Sequence, residues 1–466
     1  MKIKIILFFA FWLSLFSISC NNDEITFDAP SMELRFSTDT VFCDTVYHQV
    51  RSETYAVKVY NDEDKDISIP KISLFGGVES PYRINVDGKS GTEFTNVPLR
   101  KKDSLYIFVE IAPTSMGTEA IAEDQIVFSS PVSQQHVTLF SVVQDAEFFI
   151  ETDAPNSNTL SGNINWTNNK AKIIYGDLNL ASGATLNIAQ GTKVYFFKNS
   201  GMKVNGGATL NINGDLGSEV VIRGDRNDPR YDTIPKNWNS IKFEPGANLN
   251  MNYARVFGGT RGLELKESTA TIKNSIIHTF DEYGIYAVNS TINADNLVMN
   301  NCQHADFGIF KGGNYTILHS TLANYWQLSS AEALSLFATN EWVNENGQTE
   351  NANLNLNISN SILYTKNSNA IRFNPITGQN FAYQILNSLL KYDSGAGFNF
   401  EANSNVINSL QNMDPKFVNY YTELLNLRVV NDSPAKGKGN ISSAALSPLD
   451  ILKVSRTASP TLGAYQ

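Results

Sequence analysis

The stretch Ile272-Lys273-Asn274-Ser275-Ile276-Ile277 returns as Ile358-Ser359-Asn360-Ser361-Ile362-Leu363 and again as Ile385-Leu386-Asn387-Ser388-Leu389-Leu390. Written as apolar, any residue, Asn/Asp/His/Tyr, small, any residue, apolar, the unit also fits Met251 to Val256 and Ile317 to Leu322, and more loosely Asn293 to Val298, with Asn293 in the apolar place and Asn296 in the small one. The third position of each copy marks the repeat: Tyr253, Asn274, Asp295, His319, Asn360 and Asn387. The markers lie 21, 21, 24, 41 and 27 residues apart, the size of one coil of a β-solenoid with a single long step. Each copy reads as a short strand with inward apolar residues and a corner. Stacking the coils about 4.8 Å apart would pair every strand with its equivalents above and below. Asn or Asp at successive corners could then hydrogen-bond in a ladder along the axis.

A second unit, Gly/Ala-apolar-x-x, keeps pace with the first. It reads Gly262-Leu263, Gly284-Ile285, Gly308-Ile309, Ala333-Leu334, Ala370-Ile371 and Gly397-Phe398, each about 9 to 14 residues after a marker. Upstream, Ala184-Thr185-Leu186-Asn187-Ile188, Gly191-Thr192-Lys193-Val194-Tyr195-Phe196 and Ala208-Thr209-Leu210-Asn211-Ile212 alternate in the same way. This cadence resembles the opening coils of extracellular right-handed parallel β-helix proteins. The ending is similar to the closing segment of bacterial surface β-helix proteins in Asp414-Pro415-Lys416-Phe417, Asp432-Ser433-Pro434-Ala435, Asp450, Arg456 and Gly463-Ala464-Tyr465. Lys453 and Gln466 depart from that pattern. The resemblance implies a lid over the last coil, where apolar core and unpaired strand edges would otherwise be exposed.

Between Met32 and Phe148 the pattern changes to short alternating runs, such as Tyr55-Ala56-Val57-Lys58-Val59-Tyr60 and Tyr82-Arg83-Ile84-Asn85-Val86. Turn pairs Asn61-Asp62, Asp87-Gly88 and Ser90-Gly91 separate them, as in a β-sandwich of about seven strands. Phe36 to Phe42, Val57 to Asn61, Lys102 to Leu105 and Asp124 to Phe128 make this segment similar to immunoglobulin-like domains of the abnormal-spindle and hydin type. That class implies a spacer, with a protein-binding sheet edge as the alternative.

At the amino end, Lys2 and Lys4 precede an apolar run from Ile5 to Phe16 and then Ser17-Ile18-Ser19-Cys20, the order of a secretory signal peptide. Ser19-Cys20 resembles a bacterial lipobox, which implies a lipidated Cys20 and an outer-membrane lipoprotein, with display at the cell surface as the further expectation. The expected organisation is all-β. It comprises a signal segment (1–20), a tether (21–28), an immunoglobulin-like β-sandwich (29–147), a right-handed parallel β-helix (148–425) and a capping segment (426–466).

The chain carries 46 acidic and 36 basic side chains, a net charge of −10, without a dense Lys/Arg block. That balance argues against nucleic acid as a partner. With Cys20 lipidated, Cys43 and Cys302 remain in different domains, which excludes a disulfide framework or cysteine-rich metal site. No cofactor is implied.

The outward positions of the second unit align as Glu264, Tyr286, Phe310, Ser335, Arg372 and Asn399, with a single carboxylate among them. Calcium-dependent lyases need clustered carboxylates and glycosidases need a pair, so no catalytic set emerges. His48, His136, His278, His304 and His319 are scattered. The densest charged stretch, Arg223 to Asp232, is expected as a solvated loop, with a metal or sugar site as the alternative. The long step holds an insertion near Asn340 to Asn353 containing Trp342, and insertions of this kind collect on the binding face of a solenoid. Tyr325, Trp326, Trp342 and Arg372 are therefore the candidate ligand-binding residues. The resulting expectation is a non-catalytic envelope lipoprotein held to the membrane by its lipid. Its β-helix would bind a polysaccharide or envelope protein, or serve a structural role. The alternative is a polysaccharide lyase or hydrolase.

Overall fold

The computed structural model describes residues 26–47, 50–113, 119–226, 229–393, 403–456 and 458–466. Cys20, the signal segment, most of the tether and the unit Gly397-Phe398-Asn399-Phe400 lie outside them. The described chain is almost entirely β and divides into two compact units at Val143/Gln144.

The first unit is a β-sandwich. One sheet orders its strands as Arg35–Phe36, Tyr55–Tyr60, Ser104–Ile111, Tyr82–Val86 and Lys89–Gly91. The other orders Thr40–Phe42, Gln134–Gln144, Glu119–Ser129, Ile67–Leu74 and Glu93–Leu99. Val57, Val59, Ile107 and Val109 of the first sheet share a core with Ile67, Ile69, Ile72 and Leu139 of the second. The alternation that was legible in the sequence is the pleat, which sends every second side chain into this core. Asn61, 1% exposed, donates through Nδ2 to the carbonyls of Lys65 (2.9 Å), Leu99 (3.3 Å) and Arg100 (3.0 Å), so a turn residue becomes a buried clamp.

The second unit lays its strands in three columns. Strands such as Gly201–Val204, Thr209–Asn213 and Val220–Gly224 follow one another along the chain, and each pairs in parallel with its counterpart one repeat later. The first two columns belong to a 17-stranded sheet, because Tyr283–Asp295 and Ala305–Leu318 run through both of them. The third column is an 11-stranded sheet. Leu186, Leu210, Leu249, Ile272, Ile317, Val256, Ile277, Leu263 and Ile285 all enter one continuous core.

The corners between the second and third columns are the marker positions of the repeat. Tyr253, Asn274, Asn296, His319, Asn360 and Asn387 all have left-handed φ, between 43° and 53°. Asn tolerates this region because its short polar side chain bonds locally. In the third copy the corner is Asn296, one residue beyond the expected Asp295, which instead pairs in register with Lys273. The expected ladder takes form as Asn296 Nδ2 donating to Asn274 Oδ1 (2.8 Å) and Asn274 Nδ2 to Asn252 Oδ1 (2.8 Å). Further along, Asn360 Nδ2 lies 2.9 Å from His319 Nε2.

The small residue after each corner has its own ladder. Ser320 Oγ donates to Leu318 O (2.9 Å) and accepts from Leu297 N (3.2 Å). Ser361 and Ser388 repeat this geometry.

The C-terminal segment is not a lid over the last repeat, as the sequence suggested. It returns along the outside of the third column as a strap. Asn387 Nδ2 donates to Lys438 O (3.0 Å), Asn360 Nδ2 to Asn440 O (2.9 Å), and Asn296 Nδ2 to Leu449 O (3.0 Å). Lys453 reaches Asp215 at 2.6 Å. Leu427, Ile451 and Ala464 pack on Tyr253, Val298 and Ala323, while Val429, Ala435 and Leu462 cover Ile362 and Leu389. These apolar parts of the third column's outer surface, which it shares with polar positions such as Arg255 and Thr321, are removed from water by the strap.

Candidate functional site

With the third column covered, the outward faces of the first two remain. Along the first column the register runs Lys203, Lys242, Glu264, Tyr286, Gly308, Phe337 and Arg372. The sequence alignment put Phe310 and Ser335 in this row. The structure puts Gly308 and Phe337 there, and Ser335 is buried.

Gly308 explains how aromatic side chains gather on this face. A Cβ there would meet Tyr283 Cδ1 at 2.8 Å and Phe310 Cε2 at 2.9 Å, so its missing side chain is the space the two rings fill. Tyr286 packs on Phe310 (4.5 Å between ring centroids) and Tyr283 (5.3 Å), and Phe310 on Phe337 (5.3 Å). The insertion supplies a fifth ring. It folds as a hairpin of Glu341–Val343 against Thr349–Asn351, and Trp342 Nε1 donates to the Tyr286 hydroxyl at 2.9 Å. All five rings are half-buried. Burial raises the hydroxyl of Tyr286 and pushes that of Tyr283 up to about 12, so both stay protonated donors.

Charges ring the patch in pairs. Arg261 binds Glu264 (3.1 Å) and Glu282, with its guanidinium 4.5 Å from the centroid of Tyr286. Burial acts to lower its pKa, but the two carboxylates outweigh that and hold it raised. Lys311 bridges Glu267 and the hairpin's Glu350, both at 2.6 Å, and so ties the hairpin to the sheet. Lys266 lies 5.2 Å over the Trp342 ring. Glu264, Glu267, Glu282 and Glu350 are thus each committed to a cation. This arrangement suits a binding platform better than proton transfer, which needs a carboxyl free to exchange its proton.

Of the four residues singled out from sequence, the structure brings two to this face. Trp342 sits within the patch. Arg372 occupies the next rung after Phe337 and pairs with Glu332. Tyr325 and Trp326 are buried elsewhere, 8% and 3% exposed. Tyr325 stacks on Tyr420 of the strap at 4.2 Å, and Trp326 Nε1 donates to Ser329 Oγ at 2.9 Å. Sequence reasoning missed Tyr283, Phe337, Arg261 and Lys311. The signal that could have found the first was the Tyr-Gly-Ile-Tyr run at 283–286.

The charged loop after Arg223 folds back on itself. Arg223 pairs with Asp232 at 2.5 Å, and Arg226 lies 4.3 Å from the Tyr231 centroid. Among the described residues, no three His, Cys, Asp or Glu side chains form a group that could hold a metal ion.

No family model and no curated protein matches the chain. Among solved structures it is similar to the ASH/PapD-like domain 7 of human CEP192 at 14% identity with a TM-score of 0.18. That match covers 28% of this chain and 96% of the other. It is also similar to the Vibrio cholerae VesB protease, at 10% identity with a TM-score of 0.16, covering 24% of this chain and 31% of that one. A family 123 glycoside hydrolase from Clostridium perfringens matches at 8% identity with a TM-score of 0.18, covering 29% of this chain and 30% of the hydrolase.

Proposed function

We propose that this chain is an exported lipoprotein, anchored through Cys20, that displays a glycan-binding platform and carries out no catalysis. In this reading the three columns form a right-handed parallel β-helix. The first unit is an immunoglobulin-like spacer of the abnormal-spindle and hydin type, raising the platform from the membrane. The observation that carries the reading is the half-exposed patch of Tyr283, Tyr286, Phe310, Phe337 and Trp342. Such rings offer apolar faces to the C–H faces of sugars, while the Tyr hydroxyls and the paired charges around them bind hydroxyl groups.

A glycan array probed with the full chain, alongside a cleavage assay on the same glycans, tests this. Binding without product, lost in Trp342→Ala, supports the platform. Release of unsaturated or reducing sugar would replace it with a polysaccharide lyase or hydrolase. Metabolic labelling with a fatty acid, lost in Cys20→Ala, tests the anchor.

A further inference from the structure

The second column presents a different face. Its strands send Leu186 and Ile188, Leu210 and Ile212, and their equivalents inward. Two of the outward rows begin with Asn163 and Asn165, continue through Thr185 and Asn187, and reach Asn355 and Asn357 over eight rungs in unbroken register, before Ala382 and Gln384 on the next rung. Every one of these sixteen positions is Thr or Asn, and none is buried. In a chain with 18% charged residues, none falls in these two rows; the third outward row, at the strand ends, is mixed and includes Lys273 and Asp295, and the first column's outward row carries Lys203, Lys242, Glu264 and Arg372.

Solvation of a sheet face is ordinarily met by mixed charges, so folding alone does not require this composition. The rungs repeat about every 4.8 Å, and the two positions within a rung lie roughly 6.7 Å apart. Neighbouring amides are already aligned: Asn211 Nδ2 donates to Asn187 Oδ1 at 2.8 Å, Asn250 to Asn211 at 2.9 Å, and Asn355 to Asn314 at 3.0 Å. An amide has two N–H donors and two carbonyl lone pairs, so each retains capacity for a ligand after its ladder bond.

We propose that this face binds a neutral polysaccharide lying extended along the stack, with one sugar ring per rung. A ligand that uses every rung must repeat with the rungs and carry hydroxyls at each step, as an extended sugar chain does. Within these two rows an acidic polymer would find no counter-charge, and a protein partner would find no large apolar anchor. The unequal lengths of Thr and Asn give an uneven relief, unlike the flat, uniform plane that an ice crystal demands. This inference goes beyond the aromatic platform, since it rests on another face and other residues.

The test measures affinity of the full chain for β-1,4-linked gluco-, xylo- and manno-oligosaccharides of increasing length. Affinity for at least one series is expected to climb with length. The double substitution Thr291→Lys with Asn293→Lys, at exposed positions in mid-array, should weaken the longest binder about tenfold. Asn293→Asp repeats the test should the lysines disturb folding. Loss of long-chain binding in these variants but not in Trp342→Ala supports the polar face and overturns the aromatic platform. The reverse pattern overturns the polar face and leaves the platform standing. Affinity independent of length, binding to none of the three series, or adsorption to ice crystals would overturn the polar face as a polysaccharide site.

Discussion

Trp342 Nε1 donates to the Tyr286 hydroxyl at 2.9 Å, joining a side chain of an inserted hairpin to one that the repeat itself puts on the outer face of the first column. The ring of the inserted hairpin is therefore held by a residue of the sheet. Trp342→Ala should cost little in melting temperature, because the hairpin stays tied through Lys311 and Glu350, but should weaken glycan binding about tenfold or more. Trp342→Phe, which keeps the ring and loses the donor, should fall between. Calorimetric titration with the best array ligand distinguishes the three proteins, and equal affinities would remove Trp342 from the site.

Asn360 has more to lose than Asn274. It donates to Asn440 O, accepts from Asn440 N at 2.7 Å and meets His319, whereas Asn274 serves only the ladder between Asn252 and Asn296. Replacement by Ala also forces a Cβ-bearing residue to hold left-handed φ without local bonding, at about 1 kcal/mol. With about 1 kcal/mol for each hydrogen bond, Asn360→Ala should lose about 3–4 kcal/mol and Asn274→Ala about 2–3 kcal/mol. Urea denaturation measures both, and unchanged midpoints would refute the ladder.

Two buried histidines of the second unit should each lose stabilisation as pH falls below the ordinary imidazole range. Burial, with Arg456 adding to it, pushes the His319 imidazole down to about 3. His278 is also driven well below its usual value by burial and then by Arg255, whose Nε donates to its Nε2 at 3.1 Å. Both rings are neutral when folded and take a proton near pH 6.5 when unfolded. Their stabilisation is complete above that pH and shrinks as pH falls toward the folded values, by about 1.4 kcal/mol per pH unit for each proton. Asp306 works in the opposite direction. Burial raises its carboxyl, so it favours the fold below the usual carboxylate range and loses that contribution as pH rises. Asp295, likewise raised by burial, acts in the same sense as Asp306, so the histidine contribution is read from the difference between the wild-type chain and a histidine variant. His319→Asn, which installs the residue found at neighbouring corners, should fold normally at pH 7 and show a shallower loss of melting temperature between pH 6.5 and 4.

The strap should be sensitive at one contact and indifferent at another. Gly463 has φ 90°, and a Cβ there would lie 2.5 Å from Thr321 Oγ1 and 3.0 Å from Ile362 Cδ1, so Gly463→Ala should cost about 2 kcal/mol or more. Lys453 and Asp215 are both about half exposed, and solvent screens their pair. Lys453→Met should leave the melting temperature where it was. Limited proteolysis after Leu425 should be faster in the Gly463→Ala protein alone.

Much of this architecture was legible because a stacked strand repeats its neighbour's chemistry. The inward Ile, Leu and Val residues and the corner Asn recur at fixed steps. Register was legible only where the steps were regular. The linear pattern points to Asp295 as the corner because no Ser follows either candidate, whereas backbone φ and the ladder bond to Asn274 single out Asn296. Phe310 was misplaced because Ala305–Leu318 runs through two columns, with Gly312 and Gly313 replacing an obvious turn. The aromatic patch was half visible, through Trp342 and Arg372. Tyr283 and Phe310 converge over Gly308, and convergence across rungs leaves no mark in a linear pattern. The strap has no period of its own, so its residues suggested an ending without a direction.

The strap also changes how the unit should come apart. A stack whose repeats touch only their neighbours frays from either end, rung by rung, with stability close to a sum of local terms. Here the final stretch of chain ties Asn387, Asn360, Asn296 and Asp215 into one line, joining neighbouring repeats and also repeats several rungs apart. Opening one rung then strains attachments at several others, so cooperativity is restored to an architecture that lacks it by nature. The same order sets a timetable for synthesis. The rungs can form as they are made, but the unit locks only when its last residues arrive.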